Sequence, residues 1–213
     1  MLDIQSKLNE KLGQDWKSKK HDFRLAIAVE TVEFIDHLPW KWWKAYRGPV
    51  NLEQARMELV DIWHFLLSML LSLEEDVLEK TLEALAEHIS IYDDKSMFSV
   101  DNVMNIIPQA KEFLGNSLGV SETVLPVYLY HLCLGFGLTF KDLYLQYVGK
   151  SVLNQFRWNN GYGDTYIKQW FGQEDNQYLS EVLCAIQENV PQEGLEGFIY
   201  SVLQDQYDEV LKW

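Results

Sequence analysis

Cysteine is scarce in this chain. Only Cys133 and Cys184 occur, with no C-x-x-C and no histidine at ligand spacing. That excludes a disulfide framework and leaves no basis for a thiolate zinc site, so both thiols are expected to be reduced and buried in a cytoplasmic protein. Positive charge is also sparse. The chain has 18 Lys and Arg against 32 Asp and Glu, a net charge of -14. No basic stripe can neutralise phosphates in bulk, which excludes general binding to nucleic acid or to an anionic membrane. Long apolar runs are missing as well. Ile62 to Leu73 is interrupted by His64, Ser68 and Ser72 and falls short of the ~20 residues of a membrane span. The opening MLDIQSKLNE is charged from its third residue, which argues against a secretion signal. Strict alternation never persists, so no sheet is expected and the fold class is all-α. What is present suffices for one domain over 1–213: 213 residues, 47% apolar, enough for a sizeable core.

Against that background four acids stand out. Glu30 and Glu33, then Glu58 and Asp61, are each three residues apart, a spacing that puts both members of a pair on one helical face. Leu25, Ala26, Ile27, Ala28, Val29, Val32, Phe34 and Ile35 surround the first pair, and Leu59 to Leu67 the second. Helices apolar all round are buried. Four buried carboxylates need compensation, and hard divalent cations supply it: oxygen ligands suit Mg²⁺ or Mn²⁺. The alternative places these acids on solvated helix edges.

Helical spacing accounts for the rest of the chain. Ile4, Leu8 and Leu12 mark a first helix ended by Gly13, and residues 14–21 form a polar connector. Asp22 caps a second helix to about Asp36, and Asn51, with Gln54 at the capping-box position, starts a third that runs to about Ser72. Between them Pro39 breaks the chain, and Trp40, Trp42 and Trp43 cannot all face a core. At least one should line a pocket, unless the cluster only packs helices. His64 falls on the side of the third helix that carries Glu58 and Asp61, as a core residue or a substrate contact. Further helices are expected over 73–91, over 100–114 with Gly115 as terminator, over 126–135, and from a Thr139 cap onward. The stretch 73–138 reads as packing or subunit interface. Lys150, Asn154 and Arg157 recur on one face of the Thr139-capped helix and suit a phosphate clamp, with Arg as a bidentate fork and Lys as a point charge, although such cations are ordinarily solvated. Two acidic scaffold helices close the chain, separated by residues 189–192.

These blocks together resemble a known family. They are Gln5-x-x-Leu8-Asn9, Glu30-x-x-Glu33 with Pro39-Trp40-Lys41-x-Trp43-Lys44, Glu58-Leu59-Val60-Asp61 through Phe65, Gly149-Lys150 through Asn160-Gly161-Tyr162, and Trp170-x-Gly172-x-Glu174-Asp175-Asn176. In this order they resemble the dimeric all-α dUTPases of the all-α NTP pyrophosphatase superfamily. The resemblance implies a helical bundle in which Glu30, Glu33, Glu58 and Asp61 hold two or three Mg²⁺ ions. It implies hydrolysis of dUTP between the α- and β-phosphates to dUMP and pyrophosphate, with dUDP as a second candidate substrate, and it implies a homodimer. Of the first pair, Glu33 rather than Glu30 is expected to activate the water. Gln5 and Asn9 match the readers of the uracil edge, and Trp43 the residue enclosing the base. Lys150, Asn154, Arg157, Asn160, Tyr162 and Lys168 match the phosphate grip. Two departures are visible: a shorter connector between Asn9 and Asp22, and a trimmed 163–165 segment that bears on the reach of Lys168. A dCTP or other dNTP pyrophosphatase, a non-catalytic helical partner protein and a di-iron carboxylate bundle are the alternatives, the last lacking the two Glu-x-x-His repeats such a site needs.

Overall fold

The structure, a computed structural model, describes residues 1–44, 51–93, 104–186 and 194–212. The described residues form α1 (Leu2–Glu10), α2 (Phe23–Asp36), α3 (Leu52–Leu70), α4 (Glu75–Tyr92), α5 (Ile106–Gly119), α6 (Leu125–Gly135), α7 (Phe140–Asn159), a two-residue-per-strand hairpin of β1 (Gln169–Trp170) and β2 (Gln173–Glu174), α8 (Asp175–Ile186) and α9 (Leu195–Val210). They cluster as two compact units, Met1–Leu143 and Tyr144–Trp213, the division falling within α7. No described helix is long and apolar enough to cross a membrane.

In the first unit the helix starts follow the capping chemistry of the sequence. The Asp22 carboxylate accepts from the Leu25 N–H at 3.0 Å. Asn51 accepts from the Gln54 N–H at 3.1 Å while its own amide donates to the Gln54 side chain at 2.8 Å. Thr139 and Asp142 cap α7 reciprocally, the Thr139 hydroxyl donating to the carboxylate at 2.6 Å. Such caps each contribute about 1 kcal/mol by satisfying first-turn N–H groups. α2 packs on α3 and α5. The face that does so carries Ile27, Ala28, Thr31 and Phe34, all buried, with Phe34 edge-on to Phe136 at 5.1 Å. α3 is the central helix, burying Leu59, Val60, Ile62, Trp63, Leu66 and Leu67.

Several expectations are corrected. α2 is not buried all round: Leu25, Val29 and Val32 are 47–56% exposed, because neighbours cover only the Ile27–Phe34 side. α5 continues past Gly115 to Gly119 and stops where Val120 turns extended, since one helical glycine costs only about 1 kcal/mol. As expected, the three tryptophans do not all face the core: Trp42 and Trp43 stand exposed and Trp40 is half-buried, edge-on to Trp43 at 5.1 Å. Cys133 is buried as expected, but Cys184 is exposed on α8. The turns expected at 48–49 and 189–192 and the start of the helix expected from residue 100 lie outside the described residues.

The second unit is built on rings. Tyr207 of α9 meets Phe156 at 5.4 Å and Trp170 at 5.5 Å, and the short β1–β2 hairpin presents Trp170 to this cluster. α7 approaches α8 closely at Gly149, where an added Cβ would lie 2.7 Å from a Leu183 methyl. Gly149 therefore serves helix packing in the fold.

Candidate active site

The acid pairs meet. Glu30 and Glu33 come from α2 and Glu58 from α3, and one carboxylate oxygen from each lies within 4.8 Å of the other two. Glu30 and Glu58 are half-buried and Glu33 is exposed. Asp61, one turn beyond Glu58, is not part of that trio at this distance, but its charge acts strongly on Glu30. Burial, first, and then the charges of Asp61, Glu33 and Glu58 push the Glu30 carboxyl up to about 8. Among the described residues no Lys or Arg pairs with Glu30 or Glu33.

A basic group in contact with the trio is a residue the sequence reading passed over. His37, just past the end of α2, has Nε2 3.2 Å from Glu58 Oε1, and that hydrogen bond raises the imidazole above its usual value. Its place at the C-cap, next to the carbonyls that end α2, was the available signal. Lys41 pairs with Asp36 nearby in sequence and does not join the trio.

Farther along α3 a second constellation forms with α1. His64 Nδ1 donates to Gln5 Oε1 at 2.8 Å, and Gln5 Nε2 donates to Asn9 Oδ1 at 3.0 Å and to Ser68 Oγ at 2.9 Å. The Ser68 hydroxyl lies 3.1 Å from Asn9 Oδ1 and 3.0 Å from the His64 carbonyl. All four side chains are buried. This network orients the Asn9 amide: its oxygen receives the Gln5 donor, so its nitrogen faces away. Asn9 Nδ2 is buried without a hydrogen-bond partner. An orphaned buried donor costs about 1–3 kcal/mol and is retained where something else accepts from it. Ser68 carried no sequence signal beyond lying one turn after His64. Trp43 is exposed, held edge-on between Trp40 and Trp42.

In the second unit the cation column is internally satisfied. Arg157 directs its fork at Asp175, with Nε–Oδ2 2.8 Å and Nη2–Oδ1 2.7 Å, both side chains more than nine-tenths buried. Arg157 also donates to Asn154 at 3.3 Å and to Asn176 at 3.2 Å, and buried Lys150 donates to Asn176 at 3.3 Å. Asp175 accepts further from the Tyr166 hydroxyl at 2.7 Å. Asn160 and Gly161 end α7, the Asn160 amide donating to the Phe156 carbonyl at 2.9 Å and Gly161 turning at φ +81°. Tyr162 is exposed, its ring centroid 5.6 Å from the Arg157 guanidinium carbon. Lys168 is paired with Glu174 at 3.2 Å, on the surface. Asp175, the hub of this arrangement, lay inside a quoted sequence block without a role, because an acid gives no sign in sequence of which cation it will meet.

A mostly helical fold that gathers carboxylates from two packed helices fits an all-α nucleotide pyrophosphatase. More closely, residues 1–162 match the model of the family described as dUTPase, and this chain belongs to that family. The match contains the acids, the Gln5–Asn9–His64–Ser68 network and the α7 column as far as Tyr162, and ends before Lys168 and Asp175. No curated protein matches the chain.

Proposed function

We propose that the chain hydrolyses dUTP to dUMP and pyrophosphate in a Mg²⁺-dependent reaction, limiting uracil available to DNA and supplying dUMP. The observation that carries this reading is the carboxylate trio, whose oxygens converge with no Lys or Arg paired to Glu30 or Glu33 among the described residues, and whose burial and crowding raise the Glu30 carboxyl. Such a hard-oxygen set fits Mg²⁺, with Mn²⁺ as a substitute, and Glu30, Glu33, Glu58 and Asp61 would hold it. When bound, the metal supplies charge neutralisation for the triphosphate and acidifies water.

The chain's own residues do the rest. Glu33, the exposed member, accepts a proton from the attacking water as one P–O bond forms to the water oxygen and one P–O bond of the α–β bridge breaks. His37 steadies Glu58. The orientation of Asn9 favours a base with a carbonyl oxygen at the position the amide faces, as in uracil, over the amino group of cytosine. Glu58, Asp61, His64 and Ser68 lie along one side of α3, and the ten positions from Glu58 to Ser68 rise about 15 Å, the reach of a nucleoside triphosphate. The family resemblance assigns Trp43 to the base and Lys150, Asn154, Asn160, Tyr162 and Lys168 to phosphate, with Arg157 committed to Asp175 as the anchor of that column. The functional form is a homodimer in the cytoplasm.

Hydrolysis of dUTP, dCTP, dTTP and UTP, each with and without magnesium, tests the reading. Magnesium-dependent release of pyrophosphate with dUTP preferred is expected. Preference for another nucleotide overturns the substrate assignment, and activity in excess chelator overturns the metal.

A further inference from the structure

The connector between α1 and α2, a plain polar link in sequence, folds into one wall of a cavity in the first unit. A solvent-open pocket of about 410 Å³ lies between it and the C-terminal end of α3, with Trp16, Lys17, Lys20, His21, Arg24 and Met69 in its lining. That volume lies in the ~300–1,000 Å³ range of small-molecule sites. Neither the carboxylate trio nor the Gln5–Asn9–His64–Ser68 network contributes to the lining. We propose that this cavity is a second ligand site, which takes a phosphate-bearing aromatic ring of mononucleotide size.

Charge is the first support. A chain of net charge -14 brings three of its 18 Lys and Arg to one cavity. The acids in the lining are already occupied: Glu122 pairs with Arg24 at 2.6 Å, and Asp22 caps the Leu25 N–H at 3.0 Å. Arg24 is tied into the wall by Glu122 and the carbonyls of Ser117 and Val120. Among the described residues Lys17 and Lys20 have no ion-pair partner, which leaves two point charges of the kind that binds phosphate.

Rings are the second. Trp16 and Phe23 meet edge-on at 6.3 Å, His21 lies 6.0 Å from Phe23, and the Lys17 ammonium sits 5.5 Å from the Trp16 centroid. Trp16 is buried beneath this cluster, and exposed His21 with half-buried Phe23 forms the ring surface next to the two charges. The third support is backbone strain. Lys20 adopts φ +49°, a left-handed conformation shared among the described non-glycine residues only by Phe171, and such outliers are retained where function fixes the chain. An occupant would touch the turn that opens α2, the helix carrying Glu30 and Glu33.

The test titrates the full chain, in chelator and without any triphosphate, with adenosine 5′-monophosphate and separately with inorganic phosphate, followed by calorimetry and by the Trp16 indole NMR resonance. The expected result is AMP binding that shifts Trp16, is about tenfold tighter than inorganic phosphate, and weakens about tenfold or more in a Lys17→Ala/Lys20→Ala chain of unchanged melting temperature. Lys17→Glu/Lys20→Glu should weaken it further. Absence of AMP binding up to about 10 mM, equal affinity for phosphate alone, or binding indifferent to both double variants overturns the proposal. Because no metal or triphosphate is present, the result is independent of whether dUTP is hydrolysed.

Discussion

The acids of α2 and α3 and the Arg157–Asp175 pair that joins α7 to α8 solve the problem of buried charge in opposite ways. Arg157 and Asp175 neutralise each other through two short hydrogen bonds, with Tyr166 and Asn176 completing the shell. Glu30, Glu33 and Glu58 share one sign, and the strain of bringing them together appears as the raised Glu30 carboxyl. A self-satisfied pair holds a fold together; an unsatisfied like-charged cluster costs stability until a cation arrives. The difference separates the part of the chain that waits for something from the part that holds itself.

The sharpest way to break this contrast is to remove one waiting charge. Glu33→Gln should lower kcat for dUTP by about 10²–10⁴-fold, while equilibrium binding of a non-hydrolysable analogue changes far less. Near-normal turnover would end the role given to Glu33. On the other side, Asp175→Ala should destabilise the protein by about 3–5 kcal/mol, because it leaves the Arg157 guanidinium buried and unpaired. Denaturant unfolding measures this, and a loss under about 1 kcal/mol would show that the pair is not a structural anchor.

A third test is a pH dependence. Glu30 has its usual value near 4.5 in the unfolded chain and about 8 when folded. Between those values the folded state keeps a proton that the unfolded state has lost, so metal-free stability falls as pH rises through that window. His37, raised by Glu58, works in the same direction, so the difference between the native chain and Glu30→Gln isolates the carboxyl. Thermal melts of both across the window, without and with magnesium, should show a smaller decline in the variant and a magnesium gain in the native chain that grows with pH. Parallel melts for the two chains would contradict the account.

Much of the carboxylate site was legible in the sequence because its signal is local: two acids three residues apart share a helical face whatever surrounds them. Asp22, Asn51 and Thr139 were legible for the same reason, since a cap bonds within its own turn. The exposure of Leu25, Val29 and Val32 was not, because an apolar helix shows how much could be buried and not which sides find neighbours. Asp175 as the partner of Arg157, and Ser68 as the prop of Asn9, were equally hidden. Their contacts join residues 18 and 59 positions apart.

The sequence by itself determined the helical class, the starts of α2, α3 and α7 and the four acids, all of which depend on interactions within a few residues. Only the tertiary structure decided which oxygens converge, which cation spends its charge on an internal acid, and that the amide nitrogen of Asn9 is left over. Those outcomes depend on distances between helices, and distance between segments is not encoded in any one of them.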